Sequence, residues 1–98
     1  MKVDEITMTK NLRIPAPLRP YTDGRAEVPV EGETVGAALN NLTAQYPGLH
    51  PHLFDERGEL RSFVNLFLND EDIRHLQGVE TAIQEGDRLM LIPSIAGG

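Results

Sequence analysis

The sequence ends in two glycines, and the carboxylate of the second is the group best placed to take part in chemistry. Gly97 and Gly98 follow a predicted strand and the short segment Ser94-Ile95-Ala96. Glycine has no Cβ, so this pair can pass a narrow channel and approach an acceptor closely, and the small Ala96 shares that access. Five residues beyond Pro93 reach roughly 16 to 18 Å when extended. The terminal carboxylate could therefore enter another protein's active site while the folded body docks outside.

A carboxylate is a poor electrophile and needs activation, for instance as a mixed anhydride with AMP, before a sulfur or nitrogen nucleophile can take the acyl group. The sequence has no glycine-rich phosphate loop and no metal-ligand cluster that could activate it. The activating enzyme must therefore be a separate protein, and we interpret this chain as a substrate and carrier, not an enzyme. A terminal Gly-Gly can also be inert, and that alternative predicts no effect of removing Gly98.

Other residue types that carry chemistry are few. The 98 residues include no cysteine, which excludes a disulfide, a thiolate nucleophile and cysteine-ligated zinc. His50 and His52 lie close together without a third ligand nearby, and the run Asp70-Glu71-Asp72 lacks the glycine and the distant glutamate of a calcium loop. We therefore expect no bound metal and no bound cofactor, and we interpret the acidic run as a solvated turn.

The charge balance argues against two classes of partner. The sequence has nine Lys and Arg residues and fifteen Asp and Glu residues, which gives a net charge of −6. It also has no run of basic residues that could follow a phosphate backbone. We expect neither nucleic acid nor a membrane as a partner. No apolar run is long enough for a membrane span or a signal peptide, which predicts a cytoplasmic protein.

Apolar periodicity predicts the strands that position the tail. Alternating side chains indicate strands over residues 8–14, 26–30, 63–69 and 88–92, and a short edge strand over 73–75. Three prolines, at positions 15, 17 and 20, predict an extended connection between the first two strands, and Asp23-Gly24 predicts its closing turn.

One main helix is predicted between the second and third strands. Thr34 is a suitable N-cap, and Tyr46-Pro47 ends the helix because proline disfavours helical geometry in the preceding residue. A single apolar stripe runs along it, formed by Val35, Ala38, Leu39, Leu42 and Tyr46. Residues 47–62 are predicted to be irregular, and 78–86 to hold one helical turn carrying Val79 and Ile83.

This order of elements predicts an α+β fold of the β-grasp, or ubiquitin-like, class. About four or five strands would form a mixed sheet, with the helix packed on one face and the first and last strands parallel at the centre. We expect an N-terminal extension over residues 1–7, with Met8 as an alternative start, a single domain over 8–93, and a flexible tail over 94–98.

Strand parity predicts a docking surface near the tail. If the helix covers the face that carries Val64, Leu66 and Leu91, then Phe67, Met90 and Ile92 lie on the opposite face. An apolar group with a polar rim suits a partner surface. The alternative is that one of the long loops covers these three side chains as a minor core.

Several segments resemble the MoaD/ThiS family of ubiquitin-like sulfur carriers. They are Phe63-Val64-Asn65, the run Asn69-Asp70-Glu71-Asp72, Gly86-Asp87 and the ending Ile92 to Gly98. Within the family, the first loop, with Ile14-Pro15 and Asp23-Gly24, is most similar to the carriers of a cysteine-biosynthesis route. The resemblance covers the chain from about residue 8 to its end.

The resemblance implies a function and a set of partners. An E1-like enzyme would adenylate the Gly98 carboxylate with ATP and magnesium, and a sulfur donor would convert it to a thiocarboxylate. In the cysteine route the sulfur attacks an activated serine derivative on a PLP-dependent cysteine synthase, and a JAMM-type zinc peptidase releases the product. ATP, magnesium and PLP are thus expected only on partner enzymes.

The sequence leaves three alternatives open. The carrier could deliver sulfur to molybdopterin, thiamine or tRNA thiolation, since the Gly-Gly ending is common to the whole family. It could be a ubiquitin-like modifier joined to lysines of target proteins. It could also be an interaction module with an inert tail.

Overall fold

The computed structural model describes residues 9–62 and 64–93. Expectations for residues 1–8, for Phe63 and for the segment 94–98 therefore lie outside the described residues. The elements are β1 (Thr9–Arg13), β2 (Glu27–Glu31), α1 (Val35–Gln45), α2 (His50–Leu53), β3 (Val64–Leu68), β4 (Glu71–Asp72) and β5 (Arg88–Pro93), with four short 3₁₀ helices between them.

The strands form one mixed sheet in the order β2-β1-β5-β3-β4. β1 and β2 are an antiparallel hairpin, whereas β1 and β5 run parallel, with Leu12 beside Leu89. β5 pairs antiparallel with β3, so that Leu66 lies beside Leu91. The first and last strands thus meet inside the sheet, and the predicted β-grasp arrangement is confirmed.

Helix α1 forms where its capping residue and apolar stripe predict it. The Thr34 hydroxyl accepts a hydrogen bond from Ala37 N at 3.1 Å, which satisfies one free amide of the first turn. Tyr46 ends the helix as C-cap, and its N–H still donates to Leu42 O. Four of the five stripe residues are buried, and Tyr46 packs half-buried against the core. The helix therefore seals one face of the sheet.

The core between α1 and the sheet is almost entirely aliphatic. Alternate residues of each long strand point into this core, as predicted. Leu49, Leu53 and Phe54 also belong to it. The sheet contributes these buried residues: Leu12, Val28, Val30, Val64, Leu66, Leu68, Leu89 and Leu91. Burying a Leu or Val side chain contributes roughly 1.5 to 3 kcal/mol, so this one-sided layer is the main source of stability.

The connection between β1 and β2 is not extended, and that prediction was wrong. Residues Ala16–Thr22 form a 3₁₀ helix. Proline is tolerated in a first turn because its missing N–H would have had no partner there. Leu18 N closes the turn on Pro15 O at 2.9 Å. The predicted reversal at Asp23-Gly24 is confirmed, and both residues have positive φ.

The edge strand also lies elsewhere than predicted. It is β4, and Ile73–His75 form a 3₁₀ helix because the Asp72 carboxylate accepts a hydrogen bond from Arg74 N at 2.8 Å. The turn before β4 is made by Asn69 and Asp70, with φ of 50° and 76°. Two successive positive φ values are typical of tight hairpin turns. Of the acidic run, Asp70 lies in the turn and Glu71 and Asp72 form β4, so the prediction of a turn holds only for Asp70.

Residues 47–62 are more regular than predicted. A 3₁₀ helix over Pro47–Leu49 leads into α2, and Leu49 and Leu53 are both buried. Two apolar residues four apart are too short a pattern to reveal a helix. Near the C-terminal end, the predicted helical turn is the 3₁₀ helix Gly78–Glu80, and buried Ile83 lies outside it.

No helix within residues 9–62 and 64–93 is both long and apolar enough to cross a lipid bilayer.

Candidate functional site

The face of the sheet that α1 does not cover carries an apolar patch. Phe67 lies beside Met90 in the β3–β5 register, and Ile92 lies two residues further along β5. Phe67 and Met90 are half-buried, and Ile92 is 39 % exposed. We call these three residues the open-face patch. The structure brings the predicted docking residues together on the predicted face, and their role in docking stays a prediction.

A cleft of 460 Å³ adjoins the patch at the end where β5 begins. Phe67 and Met90 line its apolar side, and charged side chains form its rim. Arg13 pairs with Glu27 at 3.6 Å and Arg88 with Asp70 at 3.9 Å. Exposed ion pairs of this kind contribute about 0 to 1 kcal/mol, so a partner could exchange them for its own charges at little cost.

Two of the three patch residues, Met90 and Ile92, lie on β5, the strand that precedes residues 94–98. β5 ends at Pro93, and Ala96, Gly97 and Gly98, the predicted tail-access and activation residues, lie outside the described residues. Side chains two apart on a strand are separated by about 6.6 to 6.8 Å. Met90, Ile92 and the origin of the tail therefore follow one another along β5, and docking on the patch would fix the point from which the tail extends.

Asn69 holds the cleft end of the sheet together, a role that sequence reasoning missed. Its side-chain oxygen accepts a hydrogen bond from Arg88 N at 2.9 Å, and its amide nitrogen donates to Asp87 Oδ1 at 2.9 Å. These bonds tie the β3–β4 turn to the first residue of β5. The Asn69-Asp70 pair is the sequence signal that could have indicated this turn, because Asn and Asp tolerate positive φ better than most residues.

Two carboxylates of the described residues, Asp72 and Asp55, have lowered pKa values. At Asp72 the backbone hydrogen bond from Arg74 is the main cause, and at Asp55 it is the backbone hydrogen bond from Glu59. A hydrogen bond to the ionised form holds a carboxyl pKa down. Both carboxylates cap turns of their own segment by accepting backbone hydrogen bonds, and Asp72 also pairs with the Arg74 guanidinium at 3.4 Å.

The two neighbouring histidines have aromatic partners. The His52 ring lies 4.2 Å from the Tyr21 ring between centroids, and His50 stacks on Phe54 at 4.9 Å. Within the part of the chain that the structure describes, no group of three His, Asp or Glu side chains is arranged to hold a metal ion.

Comparisons with known proteins match nearly the whole chain. The ThiS family matches residues 12–98. The curated sulfur carrier protein CysO of Mycobacterium tuberculosis is 42% identical over 93 residues, which cover 93% of this chain and 100% of that protein.

Solved structures agree with this match. The Amycolatopsis orientalis BexX/CysO complex has a chain that superposes with a TM-score of 0.83 at 34% identity, covering 91% of this chain and 99% of that one. The small archaeal modifier protein 1 of Methanosarcina acetivorans superposes with a TM-score of 0.81 at 34% identity, covering 93% of this chain and 97% of that one.

Proposed function

This chain belongs to the ThiS family, and from that premise we propose that it is a ubiquitin-like sulfur carrier that holds sulfur as a Gly98 thiocarboxylate. The observation that carries the proposal is the similarity to CysO, which spans the whole of that protein. The family match continues to residue 98. The relatives that the comparisons found are carriers and modifiers, which supports a substrate of partner enzymes.

Activation proceeds on an E1-like partner with ATP and magnesium. A Gly98 carboxylate oxygen attacks the α-phosphorus of ATP, and pyrophosphate leaves. Sulfide, as HS⁻, then attacks the acyl carbon, the C–O bond to AMP breaks, AMP leaves, and loss of the S–H proton to water gives the thiocarboxylate. The chain itself supplies the carboxylate and the access that Gly97 and Ala96 allow, and its lack of cysteine fits a carrier that holds sulfur on its main chain.

Docking uses the open-face patch. Phe67, Met90 and Ile92 offer a half-exposed apolar surface with a charged rim, at the base of the tail. Such a combination is typical of protein interfaces, in which an apolar centre is desolvated and a polar rim stays wet. The complex of a CysO with BexX in Amycolatopsis orientalis shows that a similar carrier binds a protein partner.

The pathway that we favour is cysteine biosynthesis in the cytoplasm, since CysO is the relative with 42% identity. The thiocarboxylate sulfur would attack an activated serine derivative on a PLP-dependent cysteine synthase. The new cysteine would move to the Gly98 acyl group by an S-to-N shift, and a JAMM-type zinc peptidase would release it.

A second candidate is a protein modifier, favoured by the similarity to small archaeal modifier protein 1. In that case a lysine amine of a target would take the activated Gly98 acyl group. Sulfur delivery to molybdopterin, thiamine or tRNA is a third destination for the same activated tail.

Intact mass spectrometry separates these functions. The protein is incubated with cell extract, ATP and sulfide, with and without O-phosphoserine and a candidate cysteine synthase, and a Gly98 deletion is the control. We expect a Gly98-dependent exchange of one oxygen for sulfur, followed by a cysteine adduct. Exchange without the adduct would favour another sulfur pathway, and a conjugate of far larger mass would favour a modifier. An unchanged mass under active conditions contradicts the proposal.

A further inference from the structure

Lysine is scarce in this chain. Nine residues are basic, and only Lys2 and Lys10 are lysines, while the other seven are arginines. Lys10 is the one lysine within residues 9–62 and 64–93, and it is 1 % exposed. The scarcity bears on any protein whose C-terminus becomes an activated acyl group, because a lysine amine is the usual nitrogen acceptor for such a group.

Lys10 is held inside the fold by strand parity and by a hydrogen bond. It pairs with Val30 in the β1–β2 register and points to the same side as the buried Leu12. Its Nζ donates to Gly32 O at 2.7 Å. A nucleophile must present a free lone pair to a carbonyl carbon. The Lys10 amine cannot do so, because it is buried and hydrogen-bonded to Gly32 O.

Positive charge on the described surface comes from arginine. Arg13, Arg25, Arg57, Arg74 and Arg88 are all exposed, and Arg19 and Arg61 are partly exposed. A guanidinium stays protonated at any physiological pH and has no nucleophilic lone pair. These side chains can therefore take part in ion pairs and docking without competing for an acyl group. The chain also has no cysteine that could capture it as a thioester.

We infer that residues 9–62 and 64–93 offer no lysine acceptor for acyl transfer from a second copy of the chain, because Lys10, their one lysine, is buried and hydrogen-bonded. The inference rests on the proposed function, which supplies the Gly98 adenylate. In the reaction that this burial prevents, a neutral lysine amine attacks the Gly98 acyl carbon and a C–N bond forms. The anhydride C–O bond breaks, AMP leaves, and the amine proton passes to water. No oxidation or reduction occurs.

This arrangement favours sulfur loading over self-conjugation. Each exposed lysine on a carrier would compete with the sulfur donor for the activated acyl group. With arginine at the surface and Lys10 buried, the described part of the chain offers no exposed lysine for that competition.

Native acetylation tests the inference without any activating enzyme, so its outcome is independent of the sulfur chemistry. The folded 98-residue chain is treated with a water-soluble N-hydroxysuccinimide acetate, and acetylated peptides are mapped by mass spectrometry. We expect Lys10 to be acetylated at least about tenfold more slowly than an exposed lysine until denaturant opens the core. The matched control is Arg25→Lys, an exposed site that should react in the native state. Acetylation of Lys10 as fast as at position 25 in that control would overturn the inference.

Linkage itself is tested with the chain prepared as a Gly98 thioester, which replaces enzymatic activation. We expect peptide mapping of covalent dimers to find no linkage from Gly98 to Lys10 in the wild-type chain, and to find a linkage to position 25 in Arg25→Lys. A dimer of the folded wild-type chain joined through Lys10 would overturn the inference.

Discussion

At the residue scale, Phe67 is the aromatic side chain of the open-face patch. It lies beside Met90 across β3 and β5 and lines the cleft, yet it is only half-buried. The core beneath it is filled from the other face by Leu66 and Leu68. Phe67 can therefore be changed with far less damage to the fold than its two neighbours.

We predict that Phe67→Glu lowers activation of Gly98 by about tenfold or more, because a carboxylate would have to be desolvated in the interface, and about 1.4 kcal/mol of lost binding already gives tenfold. Thiocarboxylate formation is followed by intact mass, and folding by circular dichroism. The control is Ala44→Glu, which places the same charge on the exposed side of α1. Equal activation of the two folded variants would show that the open-face patch does not dock.

At the element scale, the connection from β2 to α1 depends on Gly32. Its φ is 146°, and a Cβ added there would lie 2.8 Å from both Ala37 Cβ and Ala38 N. Gly32 O also accepts the Lys10 hydrogen bond. One residue thus sets the approach of α1 to the sheet and anchors the buried amine.

We predict that Gly32→Ala lowers the free energy of unfolding by about 2 kcal/mol or more, because backbone strain of about 1 to 3 kcal/mol adds to the clash with α1. Gly58→Ala is the matched control, since Gly58 also has a positive φ, 82°, but nothing lies within 4 Å of its Cβ position. It should lose about 1 to 2 kcal/mol. Urea unfolding measures both variants, and equal losses would contradict the proposed clash.

At the scale of the whole molecule, β5 is the strand that connects the β1–β2 hairpin to the β3–β4 pair in the sheet. It pairs with β1 on one side and with β3 on the other, and it contributes Leu89 and Leu91 to the core. The same strand carries Met90 and Ile92 on the open face and leads into the tail. Stability and the open-face patch therefore both depend on one strand.

We predict that a chain ending at residue 87 is unfolded, whereas one ending at residue 93 folds but is not activated. Removing a buried leucine costs about 2 to 5 kcal/mol, and losing two with their strand approaches the total stability of about 5 to 15 kcal/mol. Circular dichroism and thermal melting compare the truncations with the full chain. A cooperative melt of the shorter chain would contradict this role of β5, and sulfur uptake by the longer one would contradict the role of Gly98.

The sequence by itself determined the elements whose signals are local. Thr34 and Tyr46 bound α1, Asp23-Gly24 turns the chain, and alternation marks the strands, because a few neighbouring residues decide each of these features. The family resemblance at the Gly-Gly ending and the Asn-Asp-Glu-Asp segment pointed to the ThiS family, which the comparisons confirm. Strand parity alone was enough to place Phe67, Met90 and Ile92 on one face.

The tertiary structure decided what depends on distant partners. The prolines after β1 allowed either an extended or a 3₁₀ connection, and packing selected the 3₁₀ helix that buries Thr22. The short edge strand was predicted over residues 73–75 but lies at Glu71–Asp72, because pairing with Phe67 and Leu68 of β3 fixes its register. Burial of Lys10 needed Gly32 O, 22 residues away, as its acceptor. A local pattern cannot specify such contacts, since their free energy arises only when separate segments meet.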